Sequence, residues 1–256
     1  MAGPVHPGGL RMPRTTAECL RQKFSVILNG IGSQPEAALK IPDAKLYTGY
    51  ADLSAAQRRG VDFEIQIRRR QHSPIAIIAP HGGHIEDGTS EVAQSIAGDD
   101  FNLYLFEGIR SWHNYTALHL TSHRFDEPEC LSLIAECQHV VAIHGCEGDE
   151  PSVLLGGLDL ELKDRIAAAL HERQVVAHVS GHRFPAIHPQ NIVNRGARDR
   201  GVQLEIAHPL RRSTEVSQVV AAVRSILLPL QAAHVPYARR QTLKHRAHAR
   251  RQRSLK

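Results

Sequence analysis

His81, His84 and Glu86 fall within one six-residue stretch, His-Gly-Gly-His-Ile-Glu. That mixture of imidazole nitrogen and carboxylate oxygen suits a divalent ion of borderline softness such as zinc. Gly82 and Gly83 permit the sharp backbone turn that would bring an imidazole and a carboxylate round to one point. A metal site needs a further donor, and His144, followed by Gly145, is the strongest candidate, with Cys146 a softer rival. His84 has two readings: a partner of His81 on the ion, or a substrate contact beside it once Glu86 supplies the anionic ligand. Glu205 interrupts the apolar pattern of Val202-Gln203-Leu204-Glu205-Ile206. An unpaired buried carboxylate is costly, so this glutamate is expected to be paired or to face a cleft, where it can take a proton from water activated by the ion. Arg195, set among Asn191, Asn194 and Gly196, offers a planar fork that can clamp a carboxylate.

These side chains need elements that deliver them to one place. Residues 75–79, Ile-Ala-Ile-Ile-Ala, stop at Pro80 and hand over His81. The run is too short for a convincing helix and too apolar for a surface strand, so it predicts a central strand of an α/β sheet, whose ligands collect at strand ends. Residues 140–143, Val-Val-Ala-Ile, repeat that logic before His144 and Gly145. Further strands are expected at 63–67, 102–106, 118–121, 175–179 and 202–206. Helices are expected at 89–97, ending at Gly98; from Asp126 as cap; along the stripe Leu158, Leu162, Ile166 and Leu170; and from Ser213 or Thr214 through Leu227.

The 256 residues suffice for a sizeable core. Residues 1–46, opening with a Gly/Pro-rich stretch, read as a poorly ordered extension to a catalytic domain at 47–235. Residues 237–256 contain eight Arg or Lys and no Asp or Glu, so the +5 net charge becomes −3 without them. That basic tail, from about residue 236, reads as a solvated, disordered end that could also hold nucleic acid, although no aromatic stacking platform accompanies it. Cys19, Cys130, Cys137 and Cys146 form no CxxC pair, which points to a reducing compartment. No apolar stretch is read as long enough for a membrane span, nor the N-terminus as a signal peptide, so a cytoplasmic protein with no membrane partner is expected.

Several blocks in fixed order add a family resemblance. Ala79-Pro80-His81-Gly82-Gly83, Ile85-Glu86, Gly88-Thr89-Ser90-Glu91, Phe106-Glu107-Gly108 and Leu118-His119 are followed by Phe125-Asp126-Glu127-Pro128 and Ile143-His144-Gly145. Asn191 with Asn194-Arg195-Gly196, then Gly201-Val202-Gln203-Leu204-Glu205, complete the series. Over about residues 47 to 212 the chain resembles the phage-type poly-γ-glutamate hydrolase family. The resemblance implies a zinc carboxypeptidase-like α/β fold, a mixed and mostly parallel twisted sheet flanked by helices. It further implies one zinc ion on His81, Glu86 and His144, with Glu205 as general base. The expected reaction is hydrolysis of γ-glutamyl amide bonds, with Arg195, Asn191 and Asn194 on a substrate carboxylate and Arg183, Arg198, Arg211 and Arg212 adding positive field for a polyanion. His84 stands where the family commonly carries glycine. Two other readings share these residues: an amide hydrolase of this fold on another substrate, and a non-catalytic module that holds nucleic acid through its tail.

Overall fold

A computed structural model of the chain describes residues 47–234. The proposed N-terminal extension, Cys19 and the basic tail lie outside the described residues. Seven strands form one sheet in the order β1-β3-β2-β4-β7-β5-β6. They are β1 (Phe63–Arg68), β2 (Ile75–Gly83), β3 (Asn102–Gly108), β4 (His139–Cys146), β5 (Ser152–Gly156), β6 (Val176–His178) and β7 (Val202–Ala207). The central pairs β3-β2, β2-β4 and β4-β7 are parallel, as is β5-β6, whereas β1 and β5 join antiparallel to β3 and β7. The expected α/β architecture with a mixed, mostly parallel sheet is therefore present.

Both sheet faces are covered, which is why β2 is continuously apolar from Ile75 to Pro80 instead of alternating. Ile75, Ile77 and Ala79 enter one core with α2 (Thr89–Ala97), α5 (Leu160–His171), Leu210 of the short α6 (His208–Arg211) and α7 (Val216–His234). Ala76 and Ile78 enter the other with α1 (Tyr50–Ala56), α4 (Pro128–Ala135) and the 3-10 turn Ile192–Asn194. Burying each of these isoleucines contributes about 1.5–3 kcal/mol. The alternation continues past the core: His144 follows Ala142 by two residues and Glu205 follows Gln203 by two, so both side chains belong to the second face.

The structure corrects four expectations. Residues 118–121 are no strand: Leu118 ends the short helix α3 (Asn114–Leu118), and Leu120 is buried from a loop, so their period-2 spacing reflects two side chains dropping into one core. Strand β5, hidden in sequence by its brevity between Pro151 and Gly156-Gly157, lies between β7 and β6. Helix α4 is capped by Glu127, whose carboxylate accepts from Glu129 N–H at 3.1 Å and Cys130 N–H at 2.7 Å, while Asp126 accepts from Tyr50 N–H at 2.6 Å. Helix α7 runs on through Pro229 to 19 residues, long and apolar enough to cross a membrane by length and composition alone. Its stripe of Val219, Ala222, Val223 and Leu227 is part of the first core.

Candidate metal centre

The register of β2 against β3 shifts between Ala79 and Gly82, a bulge that re-aims the strand end at His81. Gly83 follows with φ +58, and a Cβ there would come within 2.5 Å of the Gly108 carbonyl, so a side chain is excluded on both counts. His81 is 2% exposed. Its Nε2 lies 2.8 Å from the Leu120 carbonyl, which can only accept, so Nε2 carries a proton and Nδ1 turns inward. That Nδ1 is 3.0 Å from Glu86 Oε1 and 3.1 Å from His144 Nδ1, and His144 Nδ1 is 3.7 Å from Glu86 Oε2. Donors arranged tetrahedrally around an ion at about 2.0–2.1 Å lie about 3.3 Å apart. The two separations from His81 Nδ1 fall just below that value and His144 Nδ1 lies a little beyond it from the other carboxylate oxygen, so the residues fit a small divalent ion.

Electrostatics agree with the geometry. Burial raises the Glu86 pKa, but His81 and His144 outweigh it through charge and hydrogen bonds, holding the carboxyl well below its usual range. Burial pulls the His81 pKa down, yet the charge of Glu86 and the hydrogen bonds with Glu86 and the Leu120 carbonyl lift it above the ordinary value. Burial depresses His144, only partly opposed by Glu86. A cluster of inward lone pairs beside a committed carboxylate is stabilised by a cation, whether proton or metal.

A fourth group stands at the same point. His119 Nε2 is 3.8 Å from Glu86 Oε1, and its ring lies 4.1 Å from that of His81 and 4.5 Å from that of Tyr115. His81, Glu86 and His119 thus make a second donor triad sharing two members with the first, its atoms within 4.8 Å of one another. His144 is buried at a central strand end, whereas His119 is partly exposed and follows a one-turn helix. Sequence reading met His119 only inside a family block; its delivery by α3 left no periodic signal.

Glu205 sits opposite His144 in the β4-β7 register and is 5% exposed. Gln203 Nε2 donates to Glu205 Oε1 at 2.8 Å, Asn191 Nδ2 donates to Gln203 Oε1 at 3.1 Å, and Asn191 Oδ1 accepts from Val193 N–H at 3.1 Å. A buried relay therefore fixes Glu205 in place. Burial and the nearby charge of Glu86 push its pKa well above the usual carboxylate range, opposed by Gln203, Arg211 and Arg183.

Residues 47–219 match the family model described as poly-gamma-glutamate hydrolase. The chain belongs to that family of hydrolases. Among solved structures, a bacteriophage poly-gamma-glutamate hydrolase superposes with a TM-score of 0.69 at 31% identity, covering 73% of this chain and 98% of that one. A zinc-free YndL structure gives 0.66 at 25% identity, covering 71% and 96%. The UPF0714 protein YmaC of Bacillus subtilis (strain 168) is 35% identical over 169 residues, 65% of this chain and 71% of YmaC.

In this poly-γ-glutamate hydrolase family member the remaining sequence candidates fall in different places. Cys146 is buried, and burial together with the charge of Glu205 pushes its thiol up to about 12. Asn194 spends its whole amide on backbone: Oδ1 accepts from Leu158 and Gly201 N–H, both at 3.2 Å, and Nδ2 donates to the Ala186 and His188 carbonyls at 2.8 and 3.1 Å. It positions loops and has no polar atom left for substrate. Asn191 likewise acts through Gln203. Arg195 is not brought to the donors: neighbouring Gly196 packs against Val140 at the start of β4, four residues before His144, which sets the segment toward the other end of the strand. The side chain of His84 is 70% exposed, pairs with Asp87 at 3.1 Å and lines an adjoining cavity of about 820 Å³ with Gly88, Arg211 and Arg212. His81, Glu86, His144 and Glu205 do not line that cavity. Arg211 is buried on the far face of β4, where a Cβ at Gly145 would overlap Arg211 Nη1, and it donates to the Ile206 carbonyl at 2.8 Å.

Proposed function

We propose that the protein hydrolyses γ-glutamyl amide bonds of poly-γ-glutamate, using one zinc ion held by His81, Glu86 and His144. The observation that carries this reading is the convergence of three inward donors with Glu205 opposite His144 on the adjacent strand. Zinc is favoured over manganese or iron because two imidazoles and one carboxylate make a donor set typical of open zinc sites. When bound, the ion supplies Lewis-acid polarisation of the scissile carbonyl and lowers the pKa of the attacking water.

The chain's own residues do the rest. Glu205 takes a proton from the water and returns it to the leaving amine. Gln203 and Asn191 keep its carboxylate aimed at that point, since each is hydrogen-bonded to the next. The Leu120 carbonyl locks the His81 ring so that Nδ1 faces Glu86. Gly145 N–H donates to Glu86 Oε2 at 2.7 Å and holds the second carboxylate oxygen. The test is Glu205→Gln: metal content by mass spectrometry should match the parent, and turnover of poly-γ-glutamate should fall about 10²- to 10⁴-fold, the range typical of a lost general base. Near-parental turnover would remove Glu205 from the mechanism.

A further inference from the structure

Two imidazoles that share an ion must each turn a bare nitrogen toward it, and each then carries its one hydrogen on the other nitrogen. Buried as they are, His81 and His144 both need an acceptor for that hydrogen. The Leu120 carbonyl serves His81. We infer that Ser122 is the positioning residue that serves His144, so that one irregular segment, residues 119–122, orients both rings. The inference rests on the metal centre proposed above and is independent of which bond is cleaved.

His144 Nδ1 lies 3.1 Å from His81 Nδ1, and two ring nitrogens that face each other so closely cannot both carry hydrogen. The opposite nitrogen of His144, Nε2, meets Ser122 Oγ at 3.5 Å, its only hydrogen-bonding partner among the described residues. A serine hydroxyl can accept from Nε2–H while its own hydrogen turns away, and Ser122 is half-buried, which leaves that hydrogen a way to water. Were the hydroxyl to donate instead, Nε2 would be bare, Nδ1 would hold the hydrogen and the ring could not grip an ion. The separation is at the long end for a hydrogen bond, but the backbone on either side of the serine is fastened in place.

Leu118 and Leu120 on one side and Phe125 on the other are buried in the second core and anchor the segment. Ile192 N–H donates to the Ser122 carbonyl at 2.9 Å, and Arg124 N–H closes a turn on the Thr121 carbonyl at 2.7 Å. Between those anchors the segment meets the donors one after another. His119 Nε2 lies 3.8 Å from Glu86 Oε1, the Leu120 carbonyl 2.8 Å from His81 Nε2, and Ser122 Oγ 3.5 Å from His144 Nε2. His81 and His144 are 63 positions apart in the chain, yet their outer nitrogens are met by residues two positions apart. Ile192 adjoins Asn191, the head of the relay through Gln203 to Glu205, so the bond that fastens Ser122 also ties the segment to the proposed general base.

The test compares the parent with Ser122→Ala and Ser122→Thr, using zinc and cobalt(II) alone as probes. Metal-free melting by calorimetry should be the same in all three proteins. Competition with a zinc-binding dye should show Ser122→Ala binding about 10- to 100-fold more weakly, the range typical of a lost outer partner, while Ser122→Thr, which keeps the hydroxyl, regains most of the loss. The visible spectrum of the cobalt-loaded protein should change in Ser122→Ala and return toward that of the parent in Ser122→Thr. Parental zinc affinity in Ser122→Ala, or a loss that threonine does not repair, overturns the role of Ser122 while leaving the metal centre in place. A fall in metal-free melting that accompanies the loss reassigns the serine to folding and overturns the inference as well. A further readout needs no variant: in zinc-loaded parent labelled with nitrogen-15 at histidine, His144 should carry its hydrogen on Nε2, and a hydrogen on Nδ1 overturns the inference. A parent that takes up neither ion overturns both the inference and the metal centre it rests on. Because none of these readouts involves substrate, a failure to cleave poly-γ-glutamate bears on the reaction alone.

Discussion

Replacing Gly83 with alanine tests how tightly the metal loop is tied to the sheet. Two costs add at this position. The first is conformational: φ +58 lies in the left-handed region, where a Cβ costs about 1–2 kcal/mol. The second is steric, because the new Cβ would lie 2.5 Å from the Gly108 carbonyl and 3.1 Å from Gly108 N, backbone atoms of β3 that cannot swing away. Relief requires the end of β2 to part from β3, breaking the bond from His84 N–H to that same carbonyl at 3.0 Å, worth a further 0.5–1.5 kcal/mol or so. Together the loss is about 1.5–3.5 kcal/mol. Gly60 provides the control, with φ +80 and nothing within 4 Å of an added Cβ, so Gly60→Ala carries only the conformational cost. For a domain of this size each kcal/mol shifts the melting temperature by about 2–4 °C. Scanning calorimetry should show a drop of about 2–8 °C for Gly60→Ala and about 3–14 °C for Gly83→Ala. Competition with a zinc-binding dye should show weaker ion binding in Gly83→Ala alone, since residues 84–88 carry Glu86. Equal melting shifts in the two variants, with equal metal affinity, would refute the argument that β3 backbone excludes a side chain at 83.

The two donor triads predict different outcomes: His144→Ala should lose the ion, whereas His119→Ala should keep one per chain at about 10- to 100-fold weaker affinity, the cost typical of an outer partner; mass spectrometry with the reverse result would exchange their roles. The pH dependence of the metal-free protein follows from two opposite shifts. Glu86, held below its ordinary value, contributes stability present above the unfolded carboxyl pKa and lost as pH falls through its folded one. Glu205, held above its ordinary value, contributes stability present below the unfolded pKa and lost as pH rises toward its folded one. Glu205→Gln should therefore make the metal-free protein more stable at pH 7 and remove that alkaline limb, and a urea titration series that shows destabilisation at pH 7 would contradict it. Asn191→Ala breaks the relay behind Glu205 and uncaps the 3-10 turn, so it should cost about 1 kcal/mol in stability and about tenfold in kcat with KM little changed; a change confined to KM would make Asn191 a substrate contact.

The donors were legible because their positions are encoded locally. An apolar run that ends in His and Gly states both that a strand is buried and where it stops, and it does so twice, at His81 and His144. Glu205 was legible as an anomaly, a charge inside a strand whose other residues are apolar or amide. Arg195 was misplaced for the opposite reason. Its neighbours Asn194 and Gly196 suggest a turn, but which end of the sheet that turn touches is decided by Gly196 meeting Val140, a contact between residues 56 positions apart. His119 was met only inside a family block, because the five-residue helix it follows has no period to read. The extent of α7 was hidden by Pro229, which the helix tolerates near its end.

The sheet order has a consequence for how such a protein can change over generations. The three groups on adjacent central strands, His81, His144 and Glu205, sit on the part of the molecule least able to vary, since Ala79, Ile143, Leu204 and Ile206 of β2, β4 and β7 fill a core beside them. The loop after β6 contributes little to either core. Substitutions and insertions there can therefore accumulate while the central strands keep their places, and a library confined to residues 179–188 carries small risk to folding.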